Sequence, residues 1–282
     1  MSIGVEFLKF ILLSLLIVAI SKYILVTLLR KLAETLNLKP KTVGTIAGIA
    51  TSIPELLTVS FSAMVGLIDT SIFNILSSNV INLIQYSISV RLNKNKTSIQ
   101  NKAIKIDLFL VITTIIIPIA MLIFQVEANI NIVPIFVLLF IFFYFINHNA
   151  HKLYLHKEEK MIAEDIEKEQ KWLKGKKRKT ILYTILLILT GIALYLVGDR
   201  LSSILDKLCR EFLIPELIIG VLLGFVTSLP ELITFFEAQK HHKEEKNSHL
   251  GIIEATNNLL FSNILNLFII QSVSIVIFYC IQ

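Results

Sequence analysis

The sequence has 282 residues, of which 55% are apolar and 17% are charged, and its formal net charge is +6. A water-soluble domain of this length needs more polar surface than this composition supplies, so a soluble fold is excluded and a lipid bilayer is the expected solvent. The positive charge is better explained by its position along the chain than by a nucleic acid partner, and we expect none.

Eight apolar stretches follow one another along the chain, each near the length of roughly 20 residues that crosses a bilayer. They cover about residues 5–29, 43–66, 70–90, 106–124, 132–147, 180–198, 212–236 and 255–280. Glu6 and Lys9 stand at the front of the first stretch and no small-residue cleavage pattern follows it, so we interpret it as a helix and not as a secretory signal. The pattern predicts an all-α, polytopic membrane protein.

Lys and Arg residues are concentrated in alternate connections. The connections after the first, third, fifth and seventh stretches hold 22 of the 27. By the positive-inside rule these connections are cytoplasmic and both termini lie outside. We expect an integral, multi-pass protein of the plasma (inner) membrane.

The segment 148–179 mixes Glu and Lys at helical spacing and is interpreted as a cytoplasmic basic linker, solvated or lying at the interface. The alternative is a contact of Lys174 to Lys179 with anionic lipid. The linker separates a first membrane half, 1–147, from a second, 180–282. The histidines fall in charged segments, and we expect solvated side chains at His148, His151, His156, His241, His242 and His249.

Each half contains the same pair of motifs. The string GTIAGIATSIPEL begins at Gly44, and GVLLGFVTSLPEL begins at Gly220. A second string follows in each half, NILSSNVIN from Asn74 and NLLFSNILN from Asn258. The repeats occupy 43–83 and 219–267, and the predicted topology gives them opposite orientations, as in many secondary transporters.

The Pro-Glu pairs suit cation binding. Glu55 and Glu231 lie inside apolar stretches, where a carboxylate is costly unless it is paired, protonated or bound to a cation, and no Lys or Arg lies deep in the neighbouring stretches. Pro54 and Pro230 each remove a backbone donor and free carbonyl groups, which membranes tolerate where the backbone lines a cavity.

Further oxygen ligands lie beside these breaks. Hydroxyl groups come from Thr51, Ser52, Thr227 and Ser228. Such hard ligands suit Ca²⁺, Na⁺ or Mg²⁺. The second motifs add stripes at a spacing of four, Asn74, Ser78 and Asn82 in one half and Asn258, Ser262 and Asn266 in the other. Each stripe occupies one helix face that could meet the neighbouring Pro-Glu break, and the paired glycines of the first motif are assigned to close helix packing.

At these motifs the sequence resembles the cation/Ca²⁺ exchanger superfamily, the sodium/calcium exchangers and their prokaryotic relatives. The resemblance implies that Glu55 and Glu231 are the main Ca²⁺ carboxylates and that Thr51 and Thr227 assist through backbone carbonyls. It further implies flanking Na⁺ sites and a completed centre formed by Ser52, Ser78, Ser228, Ser262, Asn82 and Asn266. It also implies that the first and sixth spans slide across a core of the second, third, seventh and eighth.

The sequence departs from the family pattern at several positions. Family glycines are replaced at Ala50, Val226, Phe73, Asn257, Ser77 and Phe261. Asn266 stands where many sodium-coupled members have Asp, which leaves two deep carboxylates. The family usually has ten helices, so the expected fold is an exchanger-like pair of inverted-topology repeats without the last two, and a homo-oligomer becomes plausible.

These observations predict a secondary-active cation antiporter, not an enzyme, that exchanges Ca²⁺ for Na⁺ or H⁺ through a midplane site built from Glu55 and Glu231. No covalently bound cofactor is expected. One alternative is an antiporter of another cation, such as Mg²⁺, Mn²⁺ or Na⁺/K⁺. The other is a non-transporting relative with a scaffold or regulatory role.

Overall fold

The computed structural model describes residues 3–35, 40–94, 100–154, 176–244 and 248–281, and this part of the chain contains helices and no strand. The helices are α1 (Ile3–Ile20), α2 (Thr27–Thr35), α3 (Pro40–Thr51), α4 (Ile53–Met64), α5 (Ile68–Leu92), α6 (Lys102–Ile123), α7 (Val133–Tyr154), α8 (Lys176–Asp206), α9 (Glu216–Thr227), α10 (Leu229–Glu244), α11 (Ser248–Ile264) and α12 (Gln271–Ile281). Wide π-helical turns occupy Ser21–Val26, Lys207–Glu211 and Leu265–Ile270.

Within the described residues, seven helical segments are long and apolar enough to cross a membrane. They are Ile3–Leu29, Lys41–Met64, Lys102–Ile123, Ile130–Tyr154, Lys179–Glu211, Glu216–Lys240 and Leu250–Ile281. The predicted third stretch is also helical, as α5, but many of its inward residues are polar. Thr70, Asn74, Ser78 and Asn82 are all fully buried, so this face of α5 meets protein and not lipid. The all-α, polytopic fold is therefore confirmed.

Both motif-bearing spans are interrupted at the predicted proline. Ser52 forms the turn between α3 and α4, and Ser228 forms the turn between α9 and α10. A proline two residues after each turn has no N–H group for the carbonyl four residues before it, and this is the local reason for the break. The N–H groups of Ser52 and Ser228 still donate to the Gly48 and Gly224 carbonyls, both at 3.2 Å, so the helical hydrogen bonding continues up to each turn.

Two crossings between the halves carry the fold: α3 packs on α11, and α9 packs on α5. The motif glycines lie at these crossings, as predicted. A Cβ atom on Gly48 would stand 2.8 Å from the carbonyl oxygen of Asn258, and one on Gly224 would stand 2.6 Å from that of Asn74. Only glycine permits the backbones to approach this closely.

The remaining spans surround this four-helix centre. On one side α6 and α7 pack against α11 and the following π-helical turn, around Phe143 and Phe268. On another side α1 packs along α8, around Ile17 and Leu205. The predicted linker 148–179 overlaps the end of α7 and the start of α8, and residues 155–175 lie outside the described residues.

The expectation of solvated histidines is wrong for His151. The helix α7 continues to Tyr154, so His151 lies on its inward face, where it is 1% exposed. Its Nε2 atom is 2.7 Å from Oδ2 of Asp107, and Asn147 Nδ2 donates to Oδ1 of the same carboxylate at 2.9 Å. His148 is exposed, as expected. The side chains at 156, 241, 242 and 249 lie outside the described part of the chain.

Candidate functional site

The two motif glutamates occupy equivalent, fully buried positions. Glu55 lies in the first turn of α4, and Glu231 lies in the first turn of α10. Ser78 Oγ donates to Oε1 of Glu55 at 2.9 Å, and Ser262 Oγ donates to Oε1 of Glu231 at 3.0 Å. The predicted meeting of each stripe with the Pro-Glu break of its neighbouring helix is therefore present in both halves.

Serine pairs join the two halves at this point. Ser78 Oγ is 2.9 Å from Ser228 Oγ, and Ser262 Oγ is 3.0 Å from Ser52 Oγ. Each serine that binds a glutamate therefore also meets the helix break of the other half. Ser78 Oγ also accepts from the Asn266 amide at 3.5 Å, and Ser262 Oγ accepts from the Asn82 amide at 3.3 Å. These hydrogen bonds bring both halves into one buried polar centre.

The two threonines of the motif lie at the edge of this centre. Thr51 and Thr227 are buried, and each hydroxyl donates to the carbonyl four residues earlier, at 3.0 Å. Backbone coordination by these residues stays a prediction.

Asparagine pairs close the centre on the α5–α11 side. Asn82 Nδ2 donates to Oδ1 of Asn263 at 3.1 Å, and Asn266 Nδ2 donates to Oδ1 of Asn79 at 3.2 Å. Asn79 and Asn263 also exchange bonds, since each amide donates to the backbone carbonyl of the other residue, at 3.2 and 3.1 Å. These bonds fix the rotation of Asn82 and Asn266 relative to the serines.

All ten residues proposed from the sequence are at most 1% exposed. They are Thr51, Ser52, Glu55, Ser78, Asn82, Thr227, Ser228, Glu231, Ser262 and Asn266. Sequence reasoning missed the positioning residues Asn79 and Asn263. Their signal was present, because an asparagine follows the serine of the second motif in both halves.

Several buried oxygen atoms of the centre have no hydrogen-bond donor among the described residues. They are Oε2 of Glu55 and Glu231, and Oδ1 of Asn74, Asn82, Asn258 and Asn266. A buried acceptor without a donor costs free energy, and most buried polar groups are satisfied. A cation offers a common partner for such oxygens, so their repetition in both halves marks a candidate cation site.

The donor set of this site is carboxylate, amide and hydroxyl oxygen. Among the described residues, His, Cys, Asp and Glu form no group of three or more able to hold a metal ion. The candidate site instead combines two carboxylates with neutral oxygens. Oxygen donors of this kind match hard cations such as Ca²⁺, Mg²⁺ and Na⁺ better than metals that select thiolate or imidazole.

Comparison with known proteins identifies the family and the fold. The family described as sodium/calcium exchanger protein matches residues 7–149 and 182–281. Two structures of the sodium-calcium exchanger NCX_Mj, one soaked with 100 mM Na⁺ and 10 mM Sr²⁺ and the other with 2.5 mM Na⁺ and 10 mM Sr²⁺, are similar in fold. Each has a TM-score of 0.52 and 19% identity; the match covers 97% or 98% of this chain and 82% or 83% of that one. No curated protein sequence matches the chain significantly.

Proposed function

Because the chain belongs to the sodium/calcium exchanger family of cation exchangers, we propose that it exchanges Ca²⁺ for Na⁺ or H⁺ at the site between Glu55 and Glu231. One observation carries the proposal. Two fully buried carboxyl groups, one from each oppositely oriented half, each bind a serine through one oxygen and leave the other without a donor among the described residues.

The exchange works by competition for these carboxylates. Two ionised glutamates carry a charge of −2, which one Ca²⁺ balances, and counter-ions compete for the same oxygens. Two ionised glutamates without a bound cation are too costly in a low-dielectric site. The protein therefore changes from inward-facing to outward-facing only when the site is occupied by Ca²⁺ or by the counter-ions. The movement proposed for this step is a slide of the first and sixth spans, here α1–α2 and α8, across the four central spans.

Neutral oxygen atoms would bind the counter-ions next to the carboxylates. The serine pairs Ser52–Ser262 and Ser78–Ser228 each adjoin one glutamate, and they would form flanking monovalent sites. Thr51 and Thr227 would assist Ca²⁺ through their carbonyl groups, and Asn82 and Asn266 would complete the centre. The transported ions are substrates, and the proposal includes no resident cofactor.

The decisive experiment is ion-driven ⁴⁵Ca²⁺ uptake into vesicles containing the purified chain. Glu55→Gln and Glu231→Gln should each abolish uptake while the protein still inserts, because each leaves one carboxylate to balance a divalent ion. Asp69→Asn is the matched control, since Asp69 is an exposed acidic residue of α5, and it should transport at the wild-type rate. Uptake that survives either Gln substitution would remove that glutamate from the mechanism.

The same vesicles identify the ions. Imposed Na⁺ and pH gradients separate the two counter-ions, and competition by Mg²⁺, Mn²⁺, Na⁺ or K⁺ tests the alternative substrates. A non-transporting relative with a scaffold or regulatory role predicts no flux under any gradient, even with all ten site residues intact.

The remaining proposals concern orientation and assembly. The charge distribution supports a multi-pass protein of the plasma (inner) membrane with the Lys- and Arg-rich connections in the cytoplasm and both termini outside. The lipid bilayer is then its solvent, and a homo-oligomer is proposed as its assembly. Cross-linking in native membranes would test the assembly, and labelling of introduced cysteines from each side would test the orientation.

A further inference from the structure

The polar stripes on α5 and α11 extend one turn beyond the second motifs. On α11 the stripe continues at the same spacing of four to Glu254, and on α5 it continues to Thr70. Thr70 is fully buried and Glu254 is 6% exposed. The stripes therefore run from the candidate site towards the N-terminal ends of α5 and α11.

Glu254 lines a small cavity together with Thr234, which lies one turn from Glu231 on α10. The cavity has a volume of about 20 Å³ and lies between the end of the first span, α3, α10 and α11. Its walls are Val26, Leu29, Val43, Ile46, Ala47, Ala50, Thr234 and Glu254. Thr234 and Glu254 are the polar side chains among these described residues, so a cation crossing this cavity would meet oxygen ligands at these two positions.

Thr234 connects this cavity to the candidate site. Its hydroxyl donates to the Glu231 carbonyl at 2.9 Å and accepts from the Asn258 amide at 2.6 Å. Glu254, Asn258 and Ser262 follow one another at single turns along α11. The distance from the cavity to the Glu231 carboxylate is thus covered by a continuous series of polar side chains.

The first half has an equivalent series that ends in a carboxylate from α9. Glu216 Oε2 accepts from the backbone N–H of Thr70 at 2.9 Å and from its hydroxyl at 3.4 Å. One turn further along α5, the Asn74 amide donates to Thr58, whose hydroxyl donates to the Glu55 carbonyl at 3.2 Å. Glu216 also borders an open groove of about 460 Å³, together with Gly66, Arg210 and other residues of the adjoining connections. Arg210 forms an ion pair there with Asp206, at 2.7 Å.

These two carboxylates belong to opposite ends of the molecule. Glu254 follows the connection between α10 and α11, and Glu216 follows the connection between α8 and α9. One membrane span, formed by α9 and α10, separates these connections, so they lie on opposite sides of the membrane. The two polar series therefore approach the site from the two sides.

We propose that Glu254 and Glu216 are the entry carboxylates of the cation path, Glu254 on the side of the Lys- and Arg-rich connections and Glu216 on the opposite side. The proposal rests on the proposed function. A carboxylate at the mouth of a cation path concentrates cations and raises their rate of arrival, an effect that salt screens. It binds them weakly enough for release, because each opening presents one carboxylate where the site presents two.

Glu216 also has a structural role that the test must separate from this one. It satisfies an N–H group in the first turn of α5, as a helix cap does. Gln keeps an oxygen that can accept from Thr70 and loses the charge. The Glu→Gln substitution therefore removes the electrostatic role while it retains the cap.

The experiment measures the Ca²⁺ concentration for half-maximal flux separately from each face, in right-side-out and inside-out membrane vesicles at low ionic strength. Glu254→Gln should raise this concentration on the order of tenfold at the Lys- and Arg-rich face and leave the other face unchanged. Glu216→Gln should show the opposite sidedness. Both differences from wild type should shrink as salt increases, and the Asp substitutions at both positions should stay near wild type.

Two exposed acidic residues provide matched controls. Glu237 lies on α10, on the same side of the membrane as Glu254, and Asp69 lies beside Thr70 on α5. Neither Glu237→Gln nor Asp69→Asn should change the affinity measured from either side of the membrane. Wild-type affinity in both Glu254→Gln and Glu216→Gln would overturn the inference, and so would a change in affinity on the same side of the membrane in both. Loss of flux in Glu55→Gln would still support the proposed function in either case. A Gln variant that fails to insert also contradicts the proposal for that residue, because an electrostatic role predicts that the neutral isostere folds.

Discussion

Each glutamate of the candidate site binds the protein through one of its two oxygens, and the other oxygen is the one proposed to bind the cation. One oxygen of Glu55 accepts from Ser78, and one oxygen of Glu231 accepts from Ser262, which fixes the direction of both carboxyl groups. The second oxygen in each is buried without a donor in the described part of the chain. A carboxylate held in this way is oriented before the cation arrives, so little side-chain entropy is lost on binding.

At the scale of single residues, Ser78→Ala and Ser262→Ala should weaken Ca²⁺ binding while the protein still folds. Each substitution removes a hydrogen bond to a charged group and one link between the halves, at a cost of about 1.5 kcal/mol, or roughly tenfold in affinity. Ser87→Ala on α5 is the control, because the exposed Ser87 hydroxyl bonds to the Leu83 carbonyl. The affinity is measured by Ca²⁺ titration of flux. Unchanged affinity in both variants would mean that the serines do not orient the carboxylates.

At the scale of the helices, the site depends on how closely α3 crosses α11 and α9 crosses α5. Gly48 and Gly224 face the backbone of the opposite half at distances that exclude a Cβ atom. The serine and asparagine pairs that join the halves lie within a turn or two of these crossings. Their distances of about 3 Å therefore require the close approach of the helices.

Substitution of these glycines should destabilise the protein. Gly48→Ala and Gly224→Ala place a Cβ atom 2.8 and 2.6 Å from a backbone oxygen, and relief of the clash must move a helix, at a cost of about 1–3 kcal/mol. Gly191→Ala on α8 is the control, since no atom lies within 4 Å of its added Cβ. Thermal unfolding in detergent should show a lower midpoint for Gly48→Ala and Gly224→Ala and an unchanged midpoint for Gly191→Ala. Equal midpoints in all three would contradict the importance of the crossings.

At the scale of the whole molecule, a second buried network ties the outer helices to the centre. Asp107 on α6 holds His151 and Asn147 on α7, and Asn147 reaches Asn257 on α11 at 3.3 Å. Asn257 in turn donates to Thr45 on α3 at 2.6 Å. Four helices from both halves are therefore joined, and Asn257 has this role although it replaces a family glycine.

Removal of the Asp107 carboxylate should destabilise the packing of these four helices. Asp107→Ala leaves His151 and Asn147 without their acceptor in a buried position, which should reduce stability by about 3 kcal/mol. Glu127→Ala is the control, because Glu127 lies exposed in the connection between α6 and α7. The measurement is again the unfolding midpoint in detergent. A midpoint that stays at the wild-type value would show that the network carries little of the stability.

The sequence by itself determined the membrane class, the helices, the repeats and ten buried residues of the centre, but not the positioning residues Asn79 and Asn263. It could do so because apolar length, proline position and a spacing of four are local properties of the chain. The pairing of Glu55 with Ser78 also followed from local order, because both belong to one half.

The tertiary structure alone decided which side chains meet between the halves. The serine pairs, the exchange between Asn79 and Asn263, and the burial of His151 depend on how distant helices rotate and cross. A charged sequence around His151 predicts solvation, but the continuation of α7 turns that residue inward towards Asp107. Such contacts arise from packing between elements far apart in the chain, and no spacing within one element encodes them.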